Sequence, residues 1–365
     1  MSALQNVEWE PCLLEPTRNE ELERELRQVL GVVPDWTPYF FCCPWVVRVF
    51  IEFESLGLAH TDPEFAEMVG LVVSQDNSCR YCYAAHRALL RVLGIPERTI
   101  RKLEENLIAA EVTPRMKLGL DFVRRVSRAN PIPCAADREP LLAAGYAPAA
   151  VDELAFLASI HVFANRLSTL PAIPPQTMER LPDRWSMRVL QPLLGWQLRR
   201  RRRRQGNGAA PTQPMSGPFP QLVAALDGLP AARFQRRVID AAWASPFLSA
   251  RARALVFAVV ARGLGCPLSE CEAVRLLATE GLQQHEIEEI LAHLASPRLD
   301  PIEAVIVPFA RETLWYRPAE IQRQARSVRD RVTAEQFIDL VGTVALANAV
   351  CRLSAALALP DRNRA

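Results

Sequence analysis

One segment of this chain is written twice, and that repeat limits the folds open to it. CRYCYAAHRALLRVLGIPERTIRKLEENL begins at Cys79, and CPLSECEAVRLLATEGLQQHEIEEILAHL begins at Cys266, 187 residues later. At that offset Gly94 meets Gly281, Leu103 meets Ile290, Leu107 meets Leu294, Pro114 meets Pro301, Phe122 meets Phe309 and Pro131 meets Pro318. With one residue dropped, APAAVDEL (147–154) meets TAEQFIDL (333–340), and Arg166-Leu167-Ser168 meets Arg352-Leu353-Ser354. Two amphipathic helices can match once by chance. A register held through several loops, over roughly ninety residues, signals a duplicated domain.

The repeated unit reads as helical. Thr61-Asp62-Pro63-Glu64, Thr113-Pro114, Asp300-Pro301-Ile302-Glu303 and Thr333-Ala334-Glu335-Gln336 are helix starts, with a capping side chain and in three cases a proline just inside. Between them apolar residues recur at three- and four-residue spacing, as in IRKLEENLIAA and IEEILAHLA. Alternating strand-like runs are almost absent, so the expected fold class is all-α. Between the copies, six arginines (Arg199–Arg204) run into QGNGAAPTQPMSGPFP, which reads as a flexible linker. The expected domains are 1–198, a linker at 199–218, and 219–365. The arginine run has no interleaved aromatics and no nucleic-acid motif, so a solvated helix end is the plainer reading.

Net charge is only +2 in 365 residues, with half of them hydrophobic. The chain can bury a core in each half and is no general polyanion binder. The acidic start MSALQNVEWEPCLLEPTRNEELEREL has no apolar signal-peptide segment, and the stretch LVGTVALANAVC (340–351) falls short of a membrane span. A cytoplasmic protein without a membrane partner is expected. Nine cysteines in such a chain point to catalysis, redox sensing or metal binding before structural disulfides.

The cysteine chemistry concentrates in DNSCRYCYAAH. Asn77 or Ser78 can cap a helix that carries Cys79 in its first turn, where the helix dipole favours a thiolate. Cys82 follows three residues on and His86 four after that, all on one face. The helix thus offers a nucleophilic thiol, a base and a resolving thiol within two turns. Zinc would need further ligands, and no second Cys-x-x-Cys or His pair stands nearby. A pair of inert core cysteines also satisfies the spacing. Redox use fits best, with no metal and no cofactor. His161, in LAFLASIHVFA, reads as a core histidine that could also line the site, and Cys42-Cys43 as packing. Cys12, Cys134, Cys271 and Cys351 show no partner in the sequence.

Glu67 stands twelve residues before Cys79. The constellation Glu67-x11-Cys79-x2-Cys82-x3-His86, followed by LLRVLGIPERTI, resembles the signature of the alkylhydroperoxidase D / carboxymuconolactone decarboxylase superfamily. The resemblance implies two tandem helical domains forming a pseudo-dimer, and an enzyme: a thiol-dependent peroxidase or thiol–disulfide oxidoreductase. It assigns Cys82 as the thiol that attacks peroxide and Cys79 as the resolving thiol. His86 becomes the proximal base, and Glu67 the residue that orients or recharges it. It also implies a peroxide or disulfide substrate, an external dithiol reductant and self-association. Two rival readings are a cofactor-free decarboxylase acting on an organic acid, and a binding scaffold with incidental redox activity.

In the second copy Glu67 becomes Ala254, Cys82 becomes Ser269 and His86 becomes Ala273, while Cys266 keeps the place of Cys79. Cys271 is five residues after Cys266 and cannot restore the three-residue geometry. The second domain is therefore expected to be a degenerate, structural partner.

Overall fold

The computed structural model describes residues 4–180 and 216–359. The Arg199–Arg204 run and the linker as far as residue 215 lie outside them. Among the described residues, all regular structure is helical. The first half contains α1 (Glu20–Leu30), α2 (Pro44–Glu54), α3 (Pro63–Asp76), α4 (Arg80–Val92) and α5 (Glu97–Glu105). It continues with α6 (Pro114–Arg128), α7 (Glu139–Ala143), α8 (Pro148–Thr169) and α9 (Gln176–Arg180). The second half contains α10 (Pro220–Ala225), α11 (Pro230–Trp243), α12 (Ala250–Leu264), α13 (Pro267–Thr279) and α14 (Gln284–His293). It ends with α15 (Glu303–Glu312), α16 (Pro318–Arg329) and α17 (Ala334–Ala356).

The element boundaries carry the repeat. Helices α12, α13 and α14 begin 187 residues after α3, α4 and α5, and α17 begins 186 after α8. Most starts are set by the local chemistry that the sequence announces. Asp62 accepts the Phe65 N–H at 2.7 Å, Thr113 accepts that of Met116 at 3.2 Å, and Thr333 and Gln336 form a reciprocal capping box. Asp300 accepts the N–H of Glu303 at 2.7 Å, and the Glu303 carboxylate returns to the Asp300 N–H at 3.0 Å. The start of α4 differs from expectation. Its cap is Cys79 itself, because Ser78 takes a left-handed turn (φ 50°) and Asn77 ends α3.

The two longest helices, α8 and α17, are apolar nearly all round and lie against each other at the centre of the molecule. One continuous hydrophobic core runs through both halves, which meet as a pseudo-dimer. Helix α17 is longer than the apolar stretch 340–351 suggested. By length and composition it could cross a membrane, yet its most apolar window is wholly buried inside the protein. Several of its polar residues also have internal partners. Asp339 accepts from Trp45 Nε1 of the first half at 2.8 Å and from Arg253 at 2.6 Å. Trp45 comes this close because Gly342 lacks a Cβ, which would stand 2.6 Å from its ring.

Candidate active site

Helix α3 supplies Glu67 and helix α4 supplies Cys79, Cys82 and His86; the two helices pack together. Cys79 is fully buried, and its Sγ accepts the N–H of Cys82 at 3.5 Å. Cys82 is 7% exposed, with its Sγ 3.5 Å from Ser168 Oγ and 3.7 Å from the Ala164 carbonyl of α8. The two thiols are close enough to influence each other's protonation.

The pair shares its proton unevenly. Burial pushes the Cys79 thiol up, but the neighbouring Cys82 side chain and the hydrogen bond from the Cys82 N–H outweigh it, and its pKa falls below the ordinary 9.0. Cys82 is driven well above that value, first by the neighbouring Cys79 side chain and then by burial. Cys79 is therefore the more acidic thiol of the resting pair, as a sulfur at a helix N-terminus should be.

His86 and Glu67 form the second element of the site. His86 Nδ1 lies 2.7 Å from Glu67 Oε2, and the Glu67 side chain is 2% exposed. The imidazole lies flat over Gly70, one turn along α3 from Glu67. A Cβ at Gly70 would stand 2.4 Å from the ring. His161 of α8 meets His86 edge-on, with ring centroids 4.7 Å apart, and Phe53 packs in the same way on His161 at 5.9 Å.

These rings open onto a cavity of about 380 Å³. Its walls combine apolar side chains such as Phe53, Leu58, Leu89 and Leu157 with four carboxylates (Glu54, Asp62, Glu64 and Glu67) and the imidazoles of His60, His86 and His161. No arginine or lysine lines it. One wall is the 55–62 connection, fixed by the buried Glu153 of α8, whose carboxylate accepts the N–H groups of Ala59 (2.6 Å) and His60 (2.9 Å). Neither Cys79 nor Cys82 lines the cavity, so His86 and Glu67 are the residues that face it. Among the described residues, no group of three or more His, Cys, Asp or Glu is arranged to hold a metal.

Three contributors escaped the sequence reading or were underweighted by it. Gly70 left no signal beyond being a glycine in a helical run. Glu153 was visible as a charge in a long apolar helix. His161 is buried, yet it lines the cavity. Tyr81 is held aside by Asp35 at 2.8 Å, and Tyr83 is buried. Cys43 is buried and its thiol is pushed far up by desolvation, so packing is its role.

The second half holds a different thiol arrangement at the matching place. Cys266 precedes α13, and its Sγ lies 3.3 Å from Ser269 Oγ, which is 3.2 Å from Ser354 Oγ. Cys351 of α17, which had no partner in the sequence, is buried.

No family profile matches the chain, and no curated protein matches it. Solved structures similar to part of it include two peroxidase-related proteins. One is the alkylhydroperoxidase AhpD core of an uncharacterized peroxidase-related protein from Ralstonia eutropha JMP134. It is 22% identical, with 47% of this chain and 96% of that chain covered and a TM-score of 0.41. The other is an uncharacterized peroxidase-related protein from Silicibacter sp. TM1040, 25% identical, with 46% and 92% covered and a TM-score of 0.40.

Proposed function

We propose that this protein is a thiol-dependent hydroperoxide reductase in which Cys79 and Cys82 cycle between dithiol and disulfide, served by a Glu67–His86 proton relay. The observation that carries the reading is the thiol pair at the start of α4, with the Cys82 N–H on Cys79 Sγ, one turn before an imidazole held by a buried carboxylate. Cys82, the less buried of the two residues, shares a helix face with His86 and takes the role of the thiol that attacks peroxide.

The chemistry balances within these groups. The Cys82 sulfur attacks the terminal oxygen of the hydroperoxide while its proton passes to the Cys79 thiolate. The O–O bond breaks and the departing alkoxide takes a proton from the His86 imidazolium, whose charge Glu67 supports. Cys82 is now a sulfenic acid. Cys79 attacks its sulfur, the S–O bond breaks, and hydroxide leaves with the Cys79 proton as water. An external dithiol reduces the disulfide and restores both protons.

The acidic cavity disfavours the rival reading of a decarboxylase on an organic acid, because a carboxylate substrate would face four carboxylates and no Arg or Lys. The test is turnover of tert-butyl hydroperoxide by the full chain with dithiothreitol as reductant. Turnover that disappears in Cys82→Ser supports the reading. Wild-type protein that consumes no peroxide, or a Cys82→Ser variant that consumes it at the wild-type rate, overturns it.

A further inference from the structure

Cys79 and Cys82 are buried, at 0% and 7% exposure, and neither lines the cavity beside His86. The two residues between them, Arg80 and Tyr81, are each tied to a segment outside the repeated unit. Arg80 makes a two-pronged ion pair with Glu179 of α9. Its Nη2 lies 2.8 Å from Oε1 and 3.0 Å from Oε2, and its Nε donates to Oε1 at 3.0 Å. Its Nη1 donates to the Val7 carbonyl at 3.2 Å. The Tyr81 hydroxyl donates to Asp35, between α1 and α2, at 2.8 Å.

The chain before α1 also crosses the end of α8, the helix that presents Ser168 to Cys82. Trp9 Nε1 donates to the Ile173 carbonyl at 3.1 Å, and the Leu13 N–H to the Pro171 carbonyl at 2.9 Å. The start of α4 and the end of α8, which together hold the thiols, are thus strapped by residues 7–13 and α9. In the second half Pro267 and Leu268 stand where Arg80 and Tyr81 do. Neither side chain can donate a hydrogen bond, so the matching helix start cannot be fastened in this way.

We infer that residues 7–13 and α9 form a latched cover over the thiol pair, fastened by Arg80 and Glu179, that must open before an external dithiol reaches the Cys79–Cys82 disulfide. The inference rests on the dithiol cycle proposed above. In the reductive step a thiolate of the reductant attacks the Cys82 sulfur, the S–S bond breaks, and Cys79 leaves as a thiolate. The reductant's second thiol then displaces Cys82 from the mixed disulfide. One protein disulfide and one dithiol become two protein thiols and one oxidised reductant. The first attack brings a third sulfur up to two buried ones, and the closed cover leaves it no path. The latch suits local opening. Its side chains are 15% and 14% exposed, so water reaches both, and α9 is only five residues long. A segment held by few bonds opens at far lower free energy than the core.

The test uses the full chain, reduced and without peroxide, so that its outcome does not depend on peroxidase activity. Labelling of Cys82 by N-ethylmaleimide is followed by peptide mass spectrometry, with the exposed Cys134 as internal reference. Glu179→Ala and Arg80→Met both break the latch but change the local charge in opposite directions. Opening predicts that each speeds Cys82 labelling by about tenfold or more, the scale of a lost bidentate charge-assisted pair. A purely electrostatic effect on the thiol would speed one and slow the other. The same variants, oxidised with diamide, should lose the Cys79–Cys82 disulfide to dithiothreitol faster than the wild type does. Circular dichroism establishes that each is folded. Labelling unchanged in both folded variants, labelling moved in opposite directions, or faster labelling without faster reduction overturns the inference. Failure of diamide to form the disulfide overturns the peroxidase reading instead, and the labelling rates then decide the cover on their own.

Discussion

Arg166 and Arg352 donate to the same acceptor, the carbonyl oxygen of Leu314, at 2.9 and 3.2 Å. They occupy matching places in the repeat, on α8 and α17, and each is 1% exposed. Each reaches across to the other half: Arg166 to the Thr313 carbonyl at 3.1 Å, Arg352 to the Ser127 carbonyl at 3.1 Å. Neither has a carboxylate within hydrogen-bond distance among the described residues. Burial lowers the pKa of both, and for Arg352 the neighbouring Arg166 charge lowers it further. Arg166 also holds Asn77 Oδ1 at 3.1 Å, so the seam between the halves reaches the turn that presents Cys79.

Arg166→Met should therefore destabilise the protein by about 1–3 kcal/mol for each buried carbonyl left without a donor. Removing both arginines should cost more than the sum of the single changes, because each single change already relieves the repulsion between the two cations and leaves the Leu314 carbonyl one donor. Denaturant unfolding of the two single variants and the double variant checks this; a strictly additive result contradicts it.

Glu67→Gln keeps the size of the side chain and removes its charge. Loss of the 2.7 Å carboxylate contact should slow hydroperoxide turnover by about 10²-fold or more, the usual scale for general acid–base assistance. Steady-state kinetics with dithiothreitol reads it directly.

Gly70→Ala places a methyl group 2.4 Å from the His86 ring, on a helical backbone that alanine itself accepts. The ring must leave its seat. A stability loss of about 1–3 kcal/mol is expected from overpacking, together with a fall in turnover. A variant with wild-type stability and activity would show that His86 is not confined there.

The roles of the two thiols separate in single variants. Cys79→Ser should leave one turnover that stalls as a sulfenic acid on Cys82, detectable with a dimedone probe, and Cys82→Ser should form none. In the wild type the Cys79 pKa is lowered on folding, so its thiolate contributes stability that is present above the unfolded value near 9.0. That contribution is lost as pH falls through the lower folded value. The stability difference between wild type and Cys79→Ser should accordingly shrink as pH is lowered, in unfolding curves recorded across that window.

Removing residues 214–365 takes away α17 and exposes the face of α8 that it covers. The remaining chain should aggregate or self-pair despite keeping Glu67, Cys79, Cys82 and His86. Sedimentation of the truncated chain decides this, and a stable, active monomer would refute it.

The sequence alone determined what is local. A 187-residue repeat, side-chain caps and three- and four-residue spacings are written in neighbouring positions, because a helix is built from contacts no more than about one turn apart. Cys79, Cys82 and His86 share a face for that reason, and the Glu67–His86 contact follows from two adjacent helices. Which residues meet across long separations was decided only when α8 packed on α17. That packing set the wall held by Glu153, the placing of His161 beside His86, the contact of Ser269 with Ser354, and the shared carbonyl of Arg166 and Arg352. No local period encodes those pairings. They follow from burying two apolar helices against each other, which brings together whatever polar groups those helices carry and leaves hydrogen bonding to select the partners.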